Sequence, residues 1–556
     1  MTGDRANASA HKLSLLQTIR RPSLVSFEYD KLEACCDRTV AAMIRKKLPI
    51  GIQTFREIRE DKHYYVDKTP FALRLFDQGK YFFLSRPRRF GKSLFLDTLK
   101  ELFEGNAALF TGLYAETHWD WSKRNPVLRF SFGGGVLGSM ADLQQSLHAQ
   151  LTHFETRNEL PAAFPDIRSR FKSLIRDLHE KTGQRIVILV DEYDKPILDR
   201  IEQPEIARDL REGLKDFYSV IKDSDAHVRF AFLTGVSKFS KVSLFSGLNN
   251  LQDITVDSRY SAICGYTDAD VDNVFAAELE GLNREEIRRW YNGYNWTGES
   301  VYNPFDLLLL FSNREYKPYW FETGTPTFLV KLLAERHVSL PQLHHRQTSG
   351  TLLSSFDIDN IPTETLMFQA GYLTIAEQEQ VGAEQLITLC YPNLEVQQSL
   401  TAAMLGVLTQ NLSQGIAERA TLQRLLRAND FAGMRTLITA FFSSIPHDWY
   451  RNNPIAQYEG YYASVFYAYF ASLGLDLTVE DSSNHGRLDM ALKFNQHVYL
   501  FEFKVVELNP DGAALQQIKD RGYADKYRAL GQPIHLIGVE FSKDKRAVVG
   551  FEVETQ

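Results

Sequence analysis

The sequence predicts an α/β protein of several units, with a parallel sheet in its N-terminal half and a smaller α/β unit at its C-terminal end. Three observations predict it. The stretches "YFFLS" (81–85), "RIVILVD" (185–191) and "VRFAFLTG" (228–235) are continuous apolar runs separated by longer helical patterns, as in a parallel sheet covered on both faces. A glycine turn joins the first run directly to a helix. Far downstream, "GRLDMALKFNQHVYLFEFKVV" reads as two strands meeting at Asn495-Gln496, as a hairpin does.

Residues 1–47 are mixed and polar, with a helix expected from "DKLEACCDRTVAAMIRKKL". Residues 48–260 form the first α/β unit, to which "PVLRFSF" (126–132) adds a further strand. Residues 261–345, with aromatic turns such as "WYNGYNW" and "YNPFDLLLLF", read as a helical or winged-helix-like lid. Short helical segments dominate 346–445, which read as a helical connector. Residues 446–556 return to α/β through an aromatic helix, the hairpin, the helix "AALQQIKDRGYADKYRAL" and the strand "IHLIGVEFS". The total of 556 residues is too long for one core and suits three or four units.

With 44% hydrophobic and 24% charged residues the chain is of ordinary globular composition. Its net charge of -7 gives no overall attraction to nucleic acid, so such a partner would be held by a local basic patch or by metal. Cys35, Cys36, Cys264 and Cys390 show neither a CxxC pair nor zinc spacing, and no disulfide is expected. The N-terminus lacks an apolar signal region, and the apolar run 461–475 falls short of the ~20 residues of a membrane span. The expected location is cytoplasmic, with no membrane association.

The glycine turn carries chemistry. In "RPRRFGKS" (86–93), Gly91 permits close backbone approach at a helix start, Lys92 suits β/γ-phosphates, and the Ser93 hydroxyl suits Mg²⁺. Arg86 stands where a general phosphate loop has its first glycine, and Pro87 removes one N–H. Arg88 and Arg89 add charge beside the phosphates. About a hundred residues on, an apolar strand ends in Asp191-Glu192, the pattern of a Walker B segment. Asp191 would hold the Mg²⁺ shell and Glu192 would polarise the attacking water. Thr234, ending the next strand, is a candidate sensor of the γ-phosphate.

The hairpin carries a second constellation. A two-residue turn at Asn495-Gln496 pairs Phe494 with His497, and counting outward sets Asp489 opposite Glu502. Lys504 shares the face of Glu502. Two facing acids call for a divalent cation between them, and Asp489…Glu502-x-Lys504 is the spacing of a metal-dependent phosphodiesterase. Lysine there positions water or stabilises the pentavalent phosphate. Glu459, opening the preceding helix, joins the set as a further ligand if that helix packs over the hairpin. Lys519, Arg521, Lys526 and Arg528, on one expected helix interrupted by Asp520 and Asp525, could track a phosphate backbone.

The stretches "YYVDKTPF", "LSRPRRFGKSLFLDTL", "VILVDEYDKPI" and "FLTGVSKFSKVSLFSGLNNLQDIT" resemble the AAA-ATPase-like proteins, which commonly carry a C-terminal PD-(D/E)XK nuclease-like domain. The resemblance runs from about residue 48 onward, and RPRRFGKS is that family's own form of the loop. It implies a P-loop NTPase sheet, an acid from the first helix of the nuclease-like domain at Glu459, and a polar residue near the metal at Gln517, with Lys519 and Tyr523 as weaker candidates. The function expected is an ATP-binding module that regulates a nuclease dependent on Mg²⁺ or Mn²⁺, acting on DNA in preference to RNA. Two other readings stand beside it: a nucleotide-gated homo-oligomerising switch or scaffold with an inactive nuclease fold, and an ATP-driven nucleic-acid motor.

Overall fold

The computed structural model describes residues 45–238, 244–245, 248–323, 327–336, 338, 340–343, 345–353, 362–409, 414–443, 459–483, 486–507, 509–542, 544–545 and 547–556. The helix expected around Asp30–Leu48 lies almost wholly outside them, as do Cys35 and Cys36. Cys264 and Cys390 form no disulfide.

Five parallel strands make the first sheet: β1 (Tyr81–Ser85), β2 (Val127–Ser131), β3 (Ile186–Asp191), β4 (Val228–Gly235) and the short β5 (Gln252–Asp253), in the order β2-β3-β4-β1-β5. Every residue of β1 and β3 is buried. Burial on both faces explains why these strands read as unbroken apolar runs. The helices Lys92–Phe103, Met140–Arg157, Ile167–Thr182 and Pro204–Asp223 accompany the sheet. Ser139 and Asp166 cap two of them by accepting from the N–H of Asp142 and Ser169. Because β1 and β3 flank β4, the loop after β1 and the acids after β3 emerge at one edge of the sheet.

A second core belongs to the lid. Phe275, Ile287, Tyr291, Tyr302, Leu307, Leu310 and Phe311 pack with Tyr64 and Val66, so the segment before β1 is tied to the helices Arg284–Tyr291 and Pro304–Asn313. Gly293, at φ 107°, is where the lid meets the downstream chain: a Cβ there would overlap the carbonyl of Pro392.

The segment 346–445 corrects an expectation. Besides helices it holds an antiparallel sheet of β6 (Arg346–Ser349), β7 (Thr374–Val381) and β8 (Glu384–Cys390), in the order β6-β8-β7. β7 is exposed from Ala376 onward, so its Glu and Gln residues face water and read as helix formers. The turn at Gly382 (φ 62°) was the available strand signal. The helices Leu394–Thr409, Gln414–Ala428 and Phe431–Ser443 follow.

The C-terminal sheet has five strands: β9 (Asp476–Ser483), β10 (Gly486–Phe494), β11 (His497–Val506), β12 (Ile534–Ser542) and β13 (Ala547–Thr555), in the order β13-β12-β11-β10-β9. Only β11 and β12 run parallel. The hairpin register is the one counted from sequence, Phe494 opposite His497 through Met490 opposite Phe501, and Asn495 and Gln496 both take positive φ. The aromatic helix Glu459–Ala471 packs on this sheet through Phe466 and Phe470 against Phe501. The stretch expected as one basic helix is two, Ala513–Asp520 and Asp525–Arg528, broken at Gly522 (φ 56°).

Candidate functional site

Two constellations come together, one at each α/β unit. At the first, Gly91 adopts φ 90° and starts the helix Lys92–Phe103. Arg86 is fully buried: its guanidinium donates to the carbonyls of Ser85, Thr255 and Tyr260 at 2.8–3.1 Å and stacks 3.9 Å over Trp296. Burial pulls it down to about 10. The residue that departs from the general glycine pattern thus serves as a clamp between the loop and the lid's aromatic turn. Gly371 (φ 91°) supports the loop from the other side, since a Cβ there would meet Pro87 at 2.7 Å.

Lys92 is buried and turned back on its own loop, donating to the carbonyls of Arg86 (2.9 Å) and Pro87 (2.8 Å). Burial lowers its affinity for the proton, while Asp191, Asp194 and Glu192 oppose that shift. Asp191 accepts from Thr234 Oγ1 at 3.1 Å and lies 3.5 Å from Arg129. Arg129 also bonds Asp97 at 2.6 Å and reaches the Ser93 carbonyl at 3.5 Å. The sequence reading missed Arg129, although a charged residue inside the apolar run "VLRFS" was its signal. Thr234 is fully buried and directs its hydroxyl to Asp191.

Glu192 takes φ 53°, and burial followed by the neighbouring Asp191 raises its pKa. Asp194, which was not a candidate, is buried and accepts from the N–H of Val236 and from the N–H and hydroxyl of Ser237. A cavity of about 680 Å³ opens here, with Arg88, Arg89, Gly91, Lys92, Ser93 and Glu192 on its wall. Asp191 and Thr234 are not among the wall residues. Arg89, at φ 69°, lies 4.7 Å over Phe305. A helix start, an ammonium and two guanidinium groups around one cavity can hold a polyanion, and the Ser93 hydroxyl with the adjoining carboxylates fits an accompanying hard cation.

The second constellation lies on β10 and β11. Past Met490 the ladder stops, and the Asp489 carboxylate itself accepts the N–H of Phe503 at 2.8 Å. Glu502 is 1% exposed. It accepts from the Gln517 amide and stands 3.8 Å from Lys504 Nζ. Gln517 is brought there by Gly538, which pairs with Glu502 across β11 and β12. A Cβ at Gly538 would strike the backbone of Leu515, so only glycine lets the helix Ala513–Asp520 lie this close. Glu540, buried on β12, accepts from the N–H groups of Asp511 (2.9 Å) and Ala514 (3.3 Å) and anchors the helix start.

Tyr523 is buried beside the site and donates to the Arg487 carbonyl at 2.9 Å, its pKa raised by burial. Lys519 instead pairs with Glu554 at 2.8 Å, and Arg528 pairs with Asp525 at 3.2 Å. The expected basic track is therefore divided among local partners. Glu459 opens its helix as expected, but its side chain lies outside the described residues. Among the described residues no three His, Cys, Asp or Glu side chains converge as a metal cage. Two carboxylates, one buried, with an amide and an ammonium alongside, fit a hard divalent cation held partly by water.

Comparison with known proteins matches the two regions that carry these constellations. Residues 49–245 match the model of the predicted AAA-ATPases, and residues 457–551 match the PD-(D/E)XK nuclease superfamily. A protein of Azotobacter chroococcum mcd 1, described as "uncharacterized protein in vnfD 5'region", is 65% identical over 514 residues, covering 92% of this chain and 100% of that one. No helix among the described residues is long and apolar enough to cross a membrane.

Proposed function

The chain belongs to the predicted AAA-ATPases that carry a C-terminal domain of the PD-(D/E)XK nuclease superfamily, and on that premise we propose that it is a nucleotide-controlled, metal-dependent nuclease acting on DNA. The observation that carries the reading is the meeting of Asp489, Glu502, Lys504 and Gln517 at one point of the C-terminal sheet. Asp489 and Glu502 would hold Mg²⁺ or Mn²⁺, with Glu459 as third acid. The ion, when bound, supplies an acidified water and positive charge at the phosphate. Gln517 keeps the Glu502 carboxylate turned to its task. Lys504 offers its ammonium where charge grows on the phosphate oxygens.

At the other constellation ATP is the proposed ligand. Lys92 would exchange the two loop carbonyls for phosphate oxygens, and Arg88 and Arg89 would flank them. Ser93 and Asp191 would hold the accompanying Mg²⁺, Asp191 through the shell that Thr234 and Arg129 already orient. Glu192, with its raised pKa, is placed to orient and accept a proton from water.

The test is cleavage of single- and double-stranded DNA and of RNA by the full chain with Mg²⁺ or Mn²⁺, with and without ATP. Asp489→Ala and Lys504→Ala variants run beside it. Metal-dependent cleavage of DNA, lost in both variants and altered by ATP, is expected. Folded, nucleotide-bound protein that cleaves nothing would overturn the reading in favour of a nucleotide-gated, homo-oligomerising switch.

A further inference from the structure

Between the lid and the helix Leu394–Thr409 lie two carboxyl groups that neither constellation uses. Asp306, on the helix Pro304–Asn313, and Glu395 are both fully buried. Both accept the same backbone N–H, that of Trp320, at 2.7 and 2.9 Å, and Glu395 also accepts from Phe321 at 3.2 Å. The second oxygens, Asp306 Oδ2 and Glu395 Oε2, receive no hydrogen bond from any described donor. Because both accept the one Trp320 N–H, the two carboxyls lie side by side. Two buried acceptors facing each other lack one thing, a donor, and a single shared proton supplies it.

No described cation forms an ion pair with either group. The ionisable groups that act on the pair are Tyr291 and Tyr294 from the lid, Tyr372 from beyond the helix Thr363–Ala370, and Glu322 from the turn that carries Trp320. Burial raises the pKa of each of these tyrosines, so they stay neutral where the pair would titrate, and Glu322 is itself an acid. Nothing in this shell replaces the proton as the neutralising charge.

What the pair holds is the segment that grips the loop. Trp320 donates its indole N–H to the carbonyl of Arg88 at 3.1 Å. On the far side, Gln397 and Gln398, two and three residues from Glu395, bond Tyr467 and the Ser472 carbonyl at the aromatic helix of the C-terminal unit. We propose that Asp306 and Glu395 form a proton-sharing joint that positions Trp320 on the Arg88 carbonyl and makes the set of the loop depend on pH. The part of this that concerns nucleotide rests on the loop's proposed role as a phosphate site.

The sign follows from burial. Desolvation raises both groups, Asp306 strongly and Glu395 to about 7, and their proximity makes the titration a property of the pair. A group raised above its unfolded value adds stability below that value and loses it as pH climbs through the folded one. The joint is therefore set near neutrality and released by alkali, when two adjacent buried charges repel.

Two readouts on the full chain test it. Infrared difference spectra at neutral pH, wild type against the Asp306→Asn/Glu395→Gln double variant, should contain a carboxylic-acid C=O band in the wild type only. In chain labelled with fluorotryptophan, the ¹⁹F resonance of Trp320, assigned with Trp320→Phe, should titrate as the pH rises through and above the Glu395 value of about 7. Glu395→Gln, which supplies a permanent donor to Asp306, should abolish that titration, and Asp306→Asn serves if the first variant does not fold. Absence of the acid band, or a Trp320 titration that survives in the neutral variant, would overturn the joint. An ATP-analogue titration alongside reads the other claim: no binding at any pH would sink the loop's proposed role and leave both readouts of the joint standing.

Discussion

The loop at Arg86–Ser93 and the cluster at Asp489–Lys504 are opposite solutions to the problem of burying charge. At the loop every buried charge has partners built in: Lys92 has two carbonyls, Arg86 three, Asp191 a hydroxyl and an arginine, and Asp194 two N–H groups and a hydroxyl. At the cluster a carboxylate that is 1% exposed accepts from an amide and stands 3.8 Å from a lysine, with a second carboxylate on the neighbouring strand. On the proposed reading the first site, already partnered within the protein, would exchange partners when a polyanion arrives. On that reading the second gathers negative charge and would be completed by a cation.

The largest expected effect comes from breaking the second site. Lys504→Ala should lower the rate of metal-dependent cleavage by about 10²–10³-fold with little change in folding, since the lysine acts on transition-state charge. Next, Gly538→Val should push the helix Ala513–Asp520 off β12 and carry Gln517 away from Glu502. Cleavage should fall by roughly tenfold or more while ATP-analogue affinity stays unchanged. If Gly538→Val cleaves normally, the close helix approach has no part in the site.

On the loop side, Lys92→Ala should weaken nucleotide affinity by about 10-fold or more in an equilibrium titration, as expected for one charge-assisted contact of about 1.5–3 kcal/mol. Arg86→Met should cost stability of the same order, about 2–3 kcal/mol, read as a lower melting temperature. Arg86→Gly, the general residue of such loops, should do no better, because the clamp on Trp296, Thr255 and Tyr260 is lost with the side chain. A more stable glycine variant would contradict the clamp.

The smallest effect concerns the far end of the C-terminal sheet. His535 bonds His497 at 2.8 Å, and burial, then His497, holds it at about 4 against an ordinary 6.5. A depressed group adds stability above its unfolded value and loses it as pH falls toward the folded one. Thermal unfolding should therefore move to lower temperature between pH 6.5 and 4, less so in His535→Gln.

Much of this was legible because it depended on local pattern. Unbroken apolar runs revealed β1, β3 and β4, and the turn Asn495-Gln496 fixed a register that the structure shows residue for residue through Met490. Partners distant in sequence were not legible. Nothing near Arg86 announces Trp296, and nothing near Glu502 announces Gly538, whose missing side chain brings Gln517 into reach. Asp306 and Glu395 sit 89 positions apart, each in an apolar helical stretch, and only folding shows that they share an N–H. β7 was missed because an exposed strand rich in Glu and Gln carries no apolar alternation to read.

The most direct measurement of the division between the two sites is Mn²⁺ binding to the nucleotide-free full chain, in the wild type, Asp489→Asn and Lys92→Ala. The account predicts a Mn²⁺ site in the wild type that Lys92→Ala keeps and Asp489→Asn loses. Mn²⁺ binding that survives in Asp489→Asn, or that vanishes in Lys92→Ala, would contradict it.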